Sequence, residues 1–101
     1  MVTLLFISSC FKTQNAEFIN AFFKNIIGNL FICSLSLVDP EDENLQEMIL
    51  GLLAASDINS ALIFHVLNNC EDFEDLRNIY PSNEKTQFLL GNLFERYDSS
   101  L

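Results

Sequence analysis

Positive charge is scarce in this chain. Its 101 residues include five bases, Lys12, Lys24, Arg77, Lys85 and Arg96, spread over most of the length. A protein that follows a phosphate backbone must supply clustered cations, so binding to DNA or RNA is not expected. Histidine occurs once, at His65, and any chemistry that requires an imidazole would have to use it. The three glycines, Gly28, Gly51 and Gly91, form neither a phosphate loop nor a dinucleotide fingerprint. No Ser or Cys stands in a nucleophile context such as Gly-x-Ser-x-Gly. Enzyme is therefore the weakest functional class, and no cofactor is expected.

Cysteine is also sparse. Cys10, Cys33 and Cys70 are odd in number, include no CxxC pair and have no sequence neighbour that would complete a metal site, which points to reduced, mostly buried thiols. Asn-x-Ser/Thr acceptors are absent from a chain rich in Asn, so a reducing cytoplasm is the expected location. Ile7-Ser8-Ser9-Cys10 has the look of a lipid-attachment box. A leader should put a basic region and an apolar segment of about 7 to 15 residues before it, whereas only nine uncharged residues precede Cys10. Nor is a membrane partner expected: the longest uncharged stretch, Asn25 to Val38, contains Gly, Asn and Ser and falls short of the ~20 apolar residues of a span.

What the chain does have is apolar mass and negative charge. Half of it is hydrophobic and ten residues are Phe, ample material for one core, so residues 1–101 read as a single domain. Phe18, Phe22 and Phe23 at helical spacing belong to that core rather than to a cofactor box. The charge is lopsided. Residues 1–38 carry one acid and two bases, a net of +1; residues 39–101 carry thirteen acids and three bases, a net of −10, and together these give −9.

Hydrophobic periodicity predicts an all-α fold, a compact array of about six short helices. Asp39-Pro40 followed by Glu41, Asp42 and Glu43 reads as a helix start at Pro40, with the stripe Leu45, Met48, Ile49, Leu52 and Leu53 facing inward. Ser56 reads as the cap of a second, central helix with Ile58, Ala61, Leu62, His65 and Val66 on its inner stripe. A short helix with Phe73, Leu76 and Tyr80 inward ends before Pro81, and a last one runs from about Ser82 to Tyr97. Asn15 to Ile27 reads as one helix closed by Gly28-Asn29. Val2 to Phe11 and Leu30 to Val38 are apolar runs read as helices; the alternative is a small N-terminal sheet in an α+β fold.

Two constellations merit a chemical test. Acids at alternate positions from Asp39 suggest a calcium loop, but such a loop needs Gly at its sixth residue and Glu at its twelfth, and these places hold Asn44 and Leu50. His65, on the inner stripe of a central helix, reads as a hydrogen-bonded core histidine; a catalytic role would require it to be accessible and paired with an acid.

The acids themselves fall in two runs, Asp39, Glu41, Asp42, Glu43 and Glu47, and then Glu71, Asp72, Glu74 and Asp75. Segregated from the bases, they form anionic patches that attract basic partners and repel nucleic acid, and Tyr80 beside the second run would suit an aromatic anchor. The ordinary alternative is a solvated face that keeps an apolar domain soluble. In size, charge, helical texture and these two runs, the chain resembles small acidic bacterial toxin-immunity proteins, of the kind exchanged between competing cells in contact-dependent growth inhibition. That resemblance implies a stoichiometric inhibitor that lays carboxylates over the basic cleft of a cognate nuclease toxin; the contacts expected from the residues themselves are the acids of the two runs and Tyr80. The alternatives are a viral or host helical adaptor of the apoptosis-regulator or death-fold type, which would hold a partner helix in an apolar groove, and a phage anti-defence inhibitor.

Overall fold

The computed structural model describes residues 2–39, 41–71 and 73–100. Through them run α1 (Val2–Lys12), α2 (Ala16–Lys24), α3 (Ile26–Ser34), a 3-10 turn (Leu35–Leu37), α4 (Glu43–Asn68), α5 (Phe73–Arg77) and α6 (Glu84–Ser99), with no strand among the described residues. The fold is all-α. The two ambiguous apolar runs are helical, which removes the small N-terminal sheet.

Helix α4 is the centre, with α1, α2 and α6 packed around it. Its inward residues Leu45, Met48, Ile49 and Leu52 are buried as the stripe predicted. Close packing of α1 is possible because Gly51 carries no side chain; a Cβ there would meet the backbone of Ser8 at 3.0 Å. Helix α4 is long and apolar enough by composition to cross a membrane, with a mean hydropathy of 1.6 over its most apolar window, yet half of that window is buried inside the bundle. The sequence reading passed over it because Asp57 interrupts the uncharged run. Its burial makes it the core helix of a globule measuring 34 × 32 × 21 Å.

Two capping residues place the bends. Asn25, in an extended conformation, ends α2 and starts α3, accepting the Ile27 amide on its side chain, and the chain turns by 88° there. The expected single helix from Asn15 to Ile27 is therefore two. Gly28 is not a cap; it lies inside α3, where a Cβ would sit 2.7 Å from Phe23 Cα and 2.8 Å from the Phe22 carbonyl. Only glycine lets α3 fold back onto α2 at this distance. In α4 the ladder breaks at Asn59 (φ −150°, ψ 79°), whose side chain accepts the Leu62 amide and donates to Asn20 on α2. The central helix does restart, as expected, but three residues beyond Ser56. Ser56 is buried and its hydroxyl bonds back to the Leu53 carbonyl, an arrangement that bends helices instead of starting them.

Other starts also shift. The α4 cap is Asp42, which accepts the Asn44 amide, while Pro40 lies outside the described residues. Helix α6 is capped by Asn83, which accepts from Lys85 and Thr86, one residue past the expected Ser82. Two aromatic clusters join the helices: Phe11, Phe22, Phe23 and Phe31 between α1, α2 and α3, with Phe18 stacked at their exposed edge and not in the core expected for it, and Phe64, Phe73, Phe94 and Tyr97 between α4, α5 and α6.

Candidate protein-binding surface

Five-residue α5 is too short to hold its own shape and is positioned from both sides. Leu76 is buried and α5 packs against the 3-10 turn. On its other side the Arg77 guanidinium lies 5.8 Å from the Phe73 ring centre and 5.3 Å from that of Phe94, and bonds Asp98 at 2.7 Å. That bond raises the Arg77 pKa further above its ordinary value, so this cation is committed to fastening α5 onto α6. Contact with the 3-10 turn has a positional consequence. The second acidic run, on and just before α5, lies beside the segment that leads into the first.

Within the first run the acids divide by task. Asp39 accepts the Glu41 amide at 3.0 Å in a turn, and Asp42 is the α4 cap. Glu47 pairs with Lys12 of α1. Glu41 and Glu43 are exposed, and neither carboxylate is in an ion pair among the described residues. In the second run Glu71, Glu74 and Asp75 are exposed, and only Glu74 feels a nearby cation, Arg77. Asp72 lies outside the described residues. The carboxylates left to face a partner are thus Glu41, Glu43, Glu71, Glu74 and Asp75.

Tyr80 does not point inward. It is 80% exposed at the edge of a groove of about 280 Å³ that Ile79, Pro81, Leu90 and Phe94 also line. After Arg77 the chain has left α5, so the helical spacing that suggested an inward ring no longer applies. One residue the sequence reading missed is Leu37, 85% exposed on the 3-10 turn against which α5 packs. Its signal was available in principle. With three residues per turn, Leu35 and Val38 share the buried face and Leu37 falls off it.

His65 is exposed too, contrary to the core position expected for it. The second half of α4 is apolar on two faces, and the buried one carries Ile63, Phe64 and Leu67. Its hydrogen-bonding neighbour is the amide of Asn69, at 3.4 Å from either ring nitrogen, and not an acid. Among the described residues, no group of three or more His, Cys, Asp or Glu is arranged to hold a metal ion. Of the cysteines, Cys70 is buried and Cys10 and Cys33 are half-buried.

Comparison with known proteins returned no match, whether against family models, curated proteins or solved structures.

Proposed function

We propose that this chain is a cytoplasmic binding protein that neutralises a basic partner by covering its cleft, in the manner of an immunity protein against a nuclease toxin. The observation that supports this reading is the packing of α5 on the 3-10 turn, which puts the helix bearing part of the second run against the segment that leads into the first, where Leu37 is exposed. Carboxylates free of internal cations would meet the phosphate-binding groups of a nuclease, and their summed field would accelerate encounter. Leu37 and Tyr80 would supply the apolar contacts that a purely ionic interface lacks. The mechanism is occlusion, in which the inhibitor fills the site that nucleic acid would occupy and performs no chemistry of its own.

The test is co-expression with the product of the neighbouring reading frame. Rescue of growth, with a complex that co-purifies and weakens as salt rises, is the expected result. Absence of both rescue and complex would remove the reading.

A further inference from the structure

The elbow between α2 and α3 faces the second half of α4 across an open groove of about 490 Å³, lined by Phe23, Lys24, Ile26, Leu62, His65 and Val66 together with Asn25, Asn29 and Asn69. Its α4 wall is a single helix face, since residues 62, 65, 66 and 69 follow one another at i, i+3, i+4 and i+7. Opposite, Ile26 is 73% exposed, and Leu30, one turn further along α3, continues the apolar strip. The charge of this groove is the reverse of that of the acidic runs. Among the described residues no acid lines the groove, and its ionisable groups there are Lys24 and His65. Lys24 makes no ion pair among the described residues, whereas Lys12, Arg77 and Arg96 each hold a carboxylate.

We propose that this groove is a second docking site, which takes one amphipathic, acid-bearing helical segment of a partner protein. Both walls carry apolar residues one turn apart, Ile26 and Leu30 on one and Leu62 and Val66 on the other, the pattern by which a docked helix is read. A carboxylate beside those anchors would find Lys24, while a basic segment would leave that cation unpaired and set like charges together. Shallow, open walls suit a helix lying along the surface more than a small ligand, which is usually enclosed on most sides. This site is independent of the acidic end and stands or falls separately from it.

A display library of helical 16-residue peptides, selected on the full-length chain, tests the proposal. Enriched peptides should carry apolar residues at i and i+3 or i+4 with a neighbouring Asp or Glu. Their affinity should fall roughly tenfold or more on Lys24→Glu, a surface change that leaves the circular dichroism spectrum intact. Val66→Arg should abolish binding, and replacing the peptide's acids with Lys should do the same on the unaltered protein. The proposal is overturned if no peptide is enriched, if enriched peptides lack acids, or if Lys24→Glu makes no difference. It is equally overturned if Lys24→Glu abolishes self-association in sedimentation, since a second copy would then be the occupant, or if phosphatidylglycerol vesicles bind the groove and peptides do not.

Discussion

The two aromatic clusters are built on different principles. Around Phe11 five rings meet with centres 5.1 to 6.0 Å apart and no side-chain polar group tying them together. Around Tyr97 the rings are fewer and are fastened at their edges, by the Tyr97 hydroxyl on Asn68 at 2.7 Å and by Arg77 stacked on Phe73 and Phe94. The first cluster is held by volume, and every missing atom there is a void. The second is held by orientation, and it carries the short acidic helix on its outer side. The short acidic helix is thereby anchored through polar contacts that fix direction, while the part of the chain with few charges supplies bulk burial.

The contrast can be broken most severely at Phe11, which is fully buried and touches four other rings. Phe11→Ala should cost about 3–5 kcal/mol in urea unfolding; a loss below about 1 kcal/mol would mean the cluster can collapse onto the gap. Next in size is an effect on binding alone. Changing Glu71, Glu74 and Asp75 to Lys should weaken the complex at least about a hundredfold, or about 2.8 kcal/mol, without changing the unfolding curve by more than the ordinary surface scatter. Unchanged affinity would remove the second run from the interface. Tyr97→Phe, which deletes only the hydroxyl, should cost about 1 kcal/mol and so be several times milder than the loss at Phe11. If the two losses are equal, the distinction between volume and orientation fails. Smallest of all, Leu37→Ala should shift stability by less than about 0.5 kcal/mol while reducing affinity for the partner, as titration calorimetry would show.

Much of this was legible from the residues, and the misreadings have physical causes. The α4 stripe from Leu45 to Leu53 and the α6 stripe through Leu93 and Tyr97 face the core because each has one apolar side. His65 was misplaced because its segment has two apolar sides, and periodicity cannot choose between them; the choice is made by which neighbours pack there. The corner at Asn25 left little trace. Asparagine both interrupts and caps a helix, and the helical spacing of Phe18, Phe22, Phe23, Ile26 and Ile27 runs straight across it. Gly28 was read as a cap because glycine most often earns its place by a left-handed conformation, whereas here it is needed for a close approach that no sequence pattern reveals. At the acidic end, the runs were visible, but their internal division was not. That Asp39 and Asp42 serve the backbone and Glu47 serves Lys12 depends on the turn and on α1, which lies far away in sequence.

Asn59 bears on how the molecule would come apart. The hydrogen-bond ladder of its longest helix is interrupted there, so opening can begin at that point as well as at the ends. Amide exchange should therefore divide α4 into two separately protected blocks, the first sharing the lifetime of α1 and the second that of α6. A protease able to enter only transient openings would find its early cut in the middle of the longest helix.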